Sequence, residues 1–245
     1  MSILVLMVVR LEEGEVRIGI LSGYYPGLRF ESPINHKLYA DYHGYSYIYN
    51  FTPECDQRKY FFKIETIRRY IDLFDWIFWI DDDAYFTDFS IPLTRFLEGV
   101  TDEQMVICAS PSTKKLFTKF SAGQFLLKST DMSRQFIQAI FDVDMEVVRN
   151  FWRDDLGYYS HGDQEAMVYL TETDPRFSSS FIKIVDHNQF NNRDFEYQSR
   201  LDEHFLVHFT GRQKQQSHQE FYERLAVNRW LVPDELVRRY TLEGN

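Results

Sequence analysis

The sequence is poor in cysteine, and this limits the kinds of protein it can be. Cys55 and Cys108 are the only two cysteines among 245 residues, and nothing around them indicates a zinc site or a disulfide framework. Proline, glycine and serine do not gather into a linker anywhere along the chain. We therefore expect a protein of a reducing compartment, built as a single domain over residues 1–245.

Long apolar runs and a basic surface are also missing. No stretch reaches the roughly 18 consecutive apolar residues that indicate a membrane-spanning helix. The opening run at residues 2–9 is short and lacks a basic region before it, which argues against a signal peptide. A formal net charge of −10 argues against a nucleic-acid surface and offers no basic belt for anionic lipid. These absences predict a cytoplasmic protein without a transmembrane segment, and they leave only peripheral contact with a membrane open.

Aromatic residues, in contrast, are abundant. They make up 17% of the sequence, with 22 phenylalanines and 16 tyrosines. Most of these rings are expected in the core, and others could provide platforms for bases or sugars.

The most informative stretch is an apolar run that ends abruptly in three aspartates. The run Trp76–Ile80 predicts a strand buried on both faces and therefore central in a parallel sheet. Ligands of open α/β sheets bind at the carboxyl ends of the strands, where Asp81, Asp82 and Asp83 would lie. Because alternate side chains of an extended chain share a face, Asp81 and Asp83 can converge on one cation while Asp82 points elsewhere. Two carboxylates in this position suit a divalent metal that is bound to a phosphate.

Three alternative roles for the aspartates differ in how well they fit the surrounding residues. Capping of a following helix would leave like charges beside five bulky apolar residues without a neutralising partner. An EF-hand is excluded, because its loop needs glycine at the sixth position, where this chain has Phe86. A phosphatase with an aspartate nucleophile stays open, although Tyr85 stands where we would expect a small residue or threonine.

The remaining periodicity predicts a doubly wound α/β fold. Strand-like and helical stretches alternate in the βαβ order of a mostly parallel sheet flanked by helices. Predicted strands cover residues 3–9, 16–21, 45–51, 76–80, 105–109, 124–127 and 205–210, with helices at residues 32–43, 58–74, 92–97, 129–148 and 166–170. Ser32 is the expected N-cap of the first helix, with Pro33 at its first position. Residues 217–245 are expected to form a carboxy-terminal extension of two exposed helices and a tail.

Several turns combine small residues with polar groups. Ser22 and Gly23 end a predicted strand at a turn where a nucleotide could approach the backbone, although most such turns bind nothing. Gly123 would permit a similar approach, and a bulge without a ligand accounts for it equally well.

Two further positions carry functional groups. Asp163 starts a predicted helix, where simple capping would also account for it. His208 lies on a predicted strand, where most histidines are core residues. The turn at Gly211 and the cation at Lys214 follow closely, and they favour His208 as a ligand beside a bound anion.

These segments, in this order, resemble the GT-A-fold glycosyltransferases. The resemblance is greatest to the family of galactomannan galactosyltransferases, fungal mannan-type galactosyltransferases and plant xyloglucan xylosyltransferases. It implies a single GT-A-type, Rossmann-like domain. The matching segments lie within residues 17–214 and read RIGILSG, NHKLYADYHGYSYIYNF, KIETIRRY, WIDDDAYFTDF, SAGQFLLKS, GDQEAMVYL and HFTGRQK.

The resemblance also implies roles for individual residues. Asp81 and Asp83 fall on the metal-binding aspartates of the family's D-x-D motif, and His208 falls on the third protein ligand. Asp163 and Gln164 fall on the acidic and amide pair at the reacting carbon. The positions implied for the donor are Ser22, Gly23, Lys63, Asp82, Gly123, Gly211 and Lys214.

The chain departs from the family pattern in three ways. It shows no amino-terminal membrane anchor, His161-Gly162 precedes Asp163 where plant relatives have further acidic residues, and Lys214 is spaced one residue later. The first departure favours a cytosolic enzyme, and the other two leave the acceptor and the diphosphate contact undefined.

The expected function is a metal-dependent glycosyltransferase. It would move a hexose or pentose from a nucleotide-sugar, with a UDP-sugar preferred, to a glycan or glycoconjugate acceptor. Mn²⁺ suits mixed carboxylate and imidazole ligation, and Mg²⁺ is the alternative. The family implies retention of configuration, with Asp163 as candidate nucleophile and Gln164 as stabiliser, or front-face attack. A metal-dependent phosphoesterase and a non-catalytic sugar-binding domain stay as alternatives.

Overall fold

The structure is a computed structural model, and it describes residues 16–24, 29–51, 61–111 and 117–242. The strand predicted at residues 3–9 and the loop predicted at 52–57 lie outside these ranges. The first residues of the helix predicted from residue 58 lie outside them as well.

A six-stranded sheet forms the centre of the described chain. Its strands are β1 (Ile18–Gly23), β2 (Ser46–Asn50), β3 (Trp76–Ile80), β5 (Met105–Cys108), β6 (Gln124–Lys128) and β7 (Ile182–Val185). A separate pair consists of β4 (Ala84–Phe86) and β8 (Leu206–His208). The order in the large sheet is β2-β1-β3-β6-β5-β7, and β6 alone among these six runs against its neighbours. The sheet is therefore mostly parallel, which confirms the predicted α/β fold.

Helices cover both faces of this sheet. The α-helices are α1 (Ser32–His43), α2 (Phe62–Tyr70), α3 (Asp131–Asp142), α4 (Met145–Phe151), α5 (Asp163–Thr173), α6 (Lys214–Arg224) and α7 (Asp234–Leu242). Short 3-10 segments lie at Ile71–Leu73, Leu93–Leu97, Asp154–Leu156, Pro175–Phe177, His187–Gln189, Asp194–Glu196 and Leu201–Glu203. No helix in the described ranges is long and apolar enough to cross a lipid bilayer.

Strand β3 is buried along its whole length, as its apolar sequence predicts. It lies between β1, to which it is parallel, and β6, to which it is antiparallel. Ile77 and Trp79 pack into the core on the side of α2, α3 and α5, whereas Trp76, Phe78 and Ile80 pack into the core on the other face. A strand covered on both faces has no polar position available, and the aspartates therefore appear only where it ends.

The small sheet connects the acidic stretch to a distant part of the chain. The three aspartates separate β3 from β4, and β4 pairs antiparallel with β8 so that Ala84 lies opposite His208. Neither β4 nor β7 was predicted from the sequence. Both are very short, and of the four residues of β7 only Ile182 is buried.

Several helix boundaries differ from the prediction. The helix predicted at residues 129–148 is two helices, because Val143 is extended and the Asp144 carboxylate accepts a hydrogen bond from the Glu146 amide to start α4. Ser32 is not the N-cap of α1, a position that Glu31 occupies. The Ser32 hydroxyl instead donates to the Asp82 carbonyl at 2.6 Å, which ties the start of α1 to the acidic stretch.

The carboxy-terminal helices are not simply exposed, contrary to prediction. Phe221 of α6 and Leu236 of α7 are buried, as are Leu231 and Val232 between them. Helix α6 also begins at Lys214 and not at residue 217. The segment therefore contributes both core contacts and a cationic side chain to the fold.

Candidate active site

A cleft of about 500 Å³ opens where β1 and β3 end. This is the edge of the sheet at which the sequence predicts ligand binding. Its lining includes Gly23, Tyr24, Arg29, Phe62, Lys63, Trp79, Asp81, Asp82, Asp83, Asp163, Gly211, Arg212, Lys214 and Gln215. Residues from six separate stretches of the described chain thus meet in one concave space.

Asp81, Asp83 and His208 form a compact cluster at this cleft. One potential ligand atom from each of them lies within 4.8 Å of the others. His208 Nε2 is 3.2 Å from Asp83 Oδ1, and this oxygen is buried without a hydrogen bond from the described residues. Trp79 Nε1 donates to Asp81 Oδ1 at 2.7 Å and orients that carboxylate. Two carboxylates and an imidazole are a donor set that suits Mn²⁺.

Lys214 completes the surroundings of Asp83. Its ammonium donates to Asp83 Oδ2 at 2.6 Å. Burial alone would raise the pKa of Asp83, but His208 and Lys214 together hold that pKa well below its ordinary value. Gly211, with a φ of +88°, makes the turn between β8 and α6 that directs Lys214 back to the cleft.

Lys63 joins the cluster to a second acidic group. Its ammonium lies 3.2 Å from Asp81 Oδ1 and 3.1 Å from Asp163 Oδ2, and it donates to the Ala122 carbonyl at 2.6 Å. Burial lowers the pKa of Lys63, but the carboxylates of Asp163 and Asp81 raise it more, so the net shift is upward. Lys63 is therefore a buried cation held between two carboxylates.

Asp163 faces the cleft because another residue caps its helix. The backbone amide of Gly162 donates to Glu165 Oε2 at 2.7 Å, and the amide and hydroxyl of Ser160 donate to the same carboxylate. Capping by Asp163 itself, the simpler interpretation of the sequence, is therefore wrong. Burial raises the pKa of Asp163, and Lys63 opposes part of that rise. Next to it, Gln164 Oε1 accepts from the Ala122 amide at 3.0 Å.

Asp82 lies outside the three-residue cluster. It is 3% exposed, and its Oδ2 has no hydrogen-bond partner among the described residues. Burial, followed by the charges of Asp83 and Asp81, raises its pKa to about 8. The middle aspartate thus differs in environment from its neighbours, as predicted. The predicted reason was wrong, because Asp82 and Asp83 lie in a turn closed by the hydrogen bond from the Ala84 amide to the Asp81 carbonyl at 3.2 Å, and not in an extended chain.

Two of the glycines that the sequence singles out have no room for a side chain. A Cβ at Gly123 would lie 2.6 Å from Cε1 of His208, and a Cβ at Gly23 would lie 2.2 Å from the carbonyl oxygen of Asn50. Gly123 also accepts a hydrogen bond from the Asp81 amide at 2.8 Å. Whether either glycine approaches a ligand stays a prediction. Ser22 is fully buried beside Gly23, and its hydroxyl has no partner among the described residues.

Sequence reasoning missed Asn191 and Arg193, which contact the far side of the His208 ring. Asn191 Oδ1 lies 3.0 Å from His208 Nδ1, and Arg193 Nη1 lies 3.2 Å from the same atom. These residues belong to a polar run without periodicity, which in sequence resembles a surface loop. Only the parallel bridge between Asn192 and Val207 brings the run beside β8.

The chain is similar in sequence to known glycosyltransferases over part of its length. The galactosyl transferase GMA12/MNN10 family matches residues 2–98, which is less than half of the chain. A probable xyloglucan 6-xylosyltransferase 5 of Arabidopsis thaliana is 25% identical, covering 81% of this chain and 51% of the relative. Xyloglucan 6-xylosyltransferase 4 of the same plant is also 25% identical, covering 81% of this chain and 46% of the relative. The chain spans about half the length of the curated relatives it matches.

Solved structures share the fold at low sequence identity. A glycosyltransferase involved in the glycosylation of the major capsid of PBCV-1 superposes with a TM-score of 0.63 at 17% identity, covering 84% of this chain and 98% of that one. The glycosyltransferase GlyE of Streptococcus pneumoniae TIGR4 gives 0.54 at 12% identity, covering 94% of this chain and 64% of that one.

The fold is that of the GT-A glycosyltransferases. In sequence, the chain is similar to the galactosyl transferase GMA12/MNN10 family over residues 2–98 and to the two plant xylosyltransferases over 81% of its length.

Proposed function

We propose that the protein transfers a hexosyl or pentosyl group from a nucleotide-sugar to a glycan or glycoconjugate acceptor, with a divalent cation as cofactor. The observation that carries this proposal is the cluster of Asp81, Asp83 and His208 in the wall of a cleft of about 500 Å³. A UDP-sugar is the preferred donor. The plant relatives are named xylosyltransferases and the family is named for galactosyl transfer, so xylose and galactose are the first donor sugars to test.

The chemistry of the cluster supports a metal role. Asp81, Asp83 and His208 would hold Mn²⁺, or Mg²⁺ in its place, because carboxylate and imidazole groups meet here and one oxygen of Asp83 has no hydrogen bond from the described residues. When bound, such an ion neutralises charge that develops on a diphosphate leaving group. Lys214 and Arg212 line the same cleft and would place further positive charge next to the diphosphate.

Asp163 is the candidate for chemistry at the sugar. Its carboxylate lines the cleft, and the ammonium of Lys63 beside it stabilises the anionic form that a nucleophile needs. In a double displacement, Asp163 would form a bond to the anomeric carbon as the bond to the diphosphate oxygen breaks. An acceptor hydroxyl would then attack the anomeric carbon and displace Asp163, its proton passing to the released diphosphate, and the configuration would be retained.

The same residues serve a front-face route. There the acceptor hydroxyl would attack from the side of the leaving diphosphate, and Asp163 would stabilise the positive charge on the sugar without bonding to it. Gln164 is held beside Asp163 by the Ala122 amide and would orient the sugar in either route.

A thermal-shift screen tests the proposal. Purified protein is heated with UDP-, GDP- and CMP-sugars, each with Mn²⁺ and with a chelator. A ligand at about a hundred times its dissociation constant stabilises the fold by roughly 2.7 kcal/mol, which corresponds to several degrees for a domain of this size. We expect a Mn²⁺-dependent rise in Tm with UDP-sugars.

Two aspartate variants sharpen the screen. Asp83→Asn should abolish the Mn²⁺-dependent shift, whereas Asp131→Asn at an exposed helix start should leave it unchanged. No shift with any nucleotide-sugar for a folded protein would contradict the proposal and favour a phosphoesterase, which would release phosphate without an acceptor sugar. A shift that survives in Asp83→Asn would disprove the metal assignment.

A further inference from the structure

The two ring nitrogens of His208 have different neighbours. Nε2 faces the acidic cluster, 3.2 Å from Asp83 Oδ1. Nδ1 points the other way, 3.0 Å from Asn191 Oδ1 and 3.2 Å from Arg193 Nη1. A neutral imidazole can bind a cation only through the nitrogen that carries no proton. The partner of Nδ1 therefore decides whether Nε2 is available to the cluster.

Hydrogen bonds hold the side-chain oxygen of Asn191 toward His208. The amide nitrogen Nδ2 donates to the Ala109 carbonyl at 3.3 Å, which turns Oδ1 to the opposite side. Arg193 Nη1 donates to Oδ1 at 2.7 Å and to the Asn191 carbonyl oxygen at 3.1 Å. An amide oxygen only accepts hydrogen bonds, so its contact with His208 requires the proton on Nδ1.

Arg193 favours the other neutral tautomer of His208. Its guanidinium only donates, so a hydrogen bond from Arg193 to Nδ1 requires the proton on Nε2, where Asp83 Oδ1 can accept it. The two neighbours of Nδ1 therefore favour opposite neutral tautomers of His208. With the proton on Nδ1, Asn191 accepts it and Nε2 faces the cluster with a lone pair.

Backbone hydrogen bonds on either side of Asn191 fix its position beside the His208 ring. Asn191 is fully buried, and the carbonyl of Asn192 accepts a hydrogen bond from the His208 amide at 2.8 Å. The Arg193 amide donates to Glu196 Oε2 at 2.6 Å, which anchors the other end of the segment. The oxygen of Asn191 is consequently presented to the ring by a fixed segment, as supporting partners of metal-binding histidines commonly are.

We infer that Asn191 is a positioning residue that stabilises the His208 tautomer with the proton on Nδ1 and so leaves Nε2 free to bind a divalent cation, while Arg193 holds the Asn191 oxygen in place. This inference rests on the metal site of the proposed function. It adds a role for two residues that contact the ligand side chain from behind and do not touch the cation or the donor.

The test measures Mn²⁺ binding by the full chain without any nucleotide-sugar, from the electron paramagnetic resonance signal of free Mn²⁺. Asn191→Leu removes the acceptor at similar volume, and we expect its Kd for Mn²⁺ to rise about 10- to 100-fold. Asn191→Asp restores an acceptor at the same place and should bind with a Kd equal to the wild type or lower. Asn192→Leu is the matched control, because its buried side chain is not among the contacts of the His208 ring.

Thermal unfolding of each variant separates a lost acceptor from a lost fold. Equal Mn²⁺ affinity of folded Asn191→Leu and wild type would overturn the inference while leaving the metal site intact. Failure of the wild type itself to bind Mn²⁺ would remove the metal site and the inference together.

A second measurement needs no variant. In ¹H–¹⁵N spectra of the histidine rings of the wild type with diamagnetic Zn²⁺, His208 should show a protonated Nδ1 and a metal-bound Nε2. A protonated Nε2 in the Zn²⁺-bound protein would overturn the inference.

Discussion

Replacement of Lys63 by methionine tests the electrostatic design of the cleft most directly. Methionine fills a similar volume without the charge, so the carboxylates of Asp81 and Asp163 lose the ammonium that lies 3.2 and 3.1 Å from them. The Ala122 carbonyl loses its 2.6 Å hydrogen bond at the same time. The contact with Asp163 buries both partners, each with about 10% of its side chain exposed.

The expected effect on stability is large. Removal of one partner from a buried ion pair costs about 3–5 kcal/mol, because the remaining charge is left without compensation. For a domain of this size each kcal/mol lowers Tm by roughly 2–4 °C, so Lys63→Met should melt about 6–20 °C below the wild type at neutral pH. The matched control is Lys37→Met, which breaks an exposed ion pair with Asp41 one helical turn away. Such pairs contribute about 0.3–0.5 kcal/mol, and the control should melt within about 2 °C of the wild type.

The pH dependence of the loss follows from the pKa shifts. The pKa of Lys63 is raised in the folded state, so its stabilising contribution is present below its ordinary value of 10.5 and is lost as the pH rises through the folded pKa. In Lys63→Met the pKa of Asp163, already raised by burial, rises further because Lys63 no longer opposes it. Protonation of Asp163 then removes the uncompensated charge, so the Tm difference between the variant and the wild type should shrink as the pH falls below neutral.

Differential scanning calorimetry of wild type, Lys63→Met and Lys37→Met at neutral and acidic pH measures both effects. Equal Tm values for the two variants at neutral pH would show that the buried ion pair stabilises the fold no more than the exposed one. If instead the Tm of Lys63→Met lay below that of the wild type by the same amount at both pH values, the loss of stability would come from packing. That result would refute the electrostatic reasoning.

Three further substitutions probe the same cleft. Lys214→Met removes a cation that competes with the metal for Asp83, so the Kd of the variant for Mn²⁺ without nucleotide should fall about tenfold, equivalent to about 1.4 kcal/mol. Its affinity for UDP should decrease, and an unchanged Kd for Mn²⁺ in a metal titration would contradict this reasoning. Gly123→Ala places a Cβ 2.6 Å from the ring of His208, so the free energy of unfolding in urea should fall by roughly 1–3 kcal/mol and Mn²⁺ binding should weaken. Wild-type values for both quantities would show that the ring moves freely. Asp163→Asn should bind the donor as the wild type does and lose turnover by about 10³-fold or more; unimpaired turnover in a transfer assay would remove Asp163 from the mechanism.

Local sequence pattern was sufficient for much of the sheet and for one wall of the cleft. The unbroken apolar run of β3 required burial on both faces, and the structure confirms a central strand that ends at Ile80, directly before Asp81. The grouping of Asp81 with Asp83, apart from Asp82, was also predicted correctly, but a turn at Asp82 and Asp83 produces it and not the alternation of an extended chain. These properties depend on neighbours within a few residues, and the sequence displays them directly.

The same local reasoning failed where a side chain finds its partner across the fold. Ser32 has the composition of an N-cap, but its hydroxyl bonds the Asp82 carbonyl fifty positions away. Asp163 has the composition of a cap as well, and Glu165 takes that role and leaves Asp163 to Lys63. A propensity describes the bonds a residue can make locally, and tertiary contacts offered these two residues other partners.

By itself, the sequence determined the fold class, the strand that carries the aspartates and the order of segments that resembles the family. Tertiary structure alone decided which charges meet. The pairing of β4 with β8 brings His208 to Asp83, the turn at Gly211 returns Lys214 to the same carboxylate, and Asn191 reaches the ring from a run without any pattern. Electrostatic contacts and hydrogen bonds depend on distances of a few ångströms between atoms far apart in sequence, and these distances exist only in the folded chain.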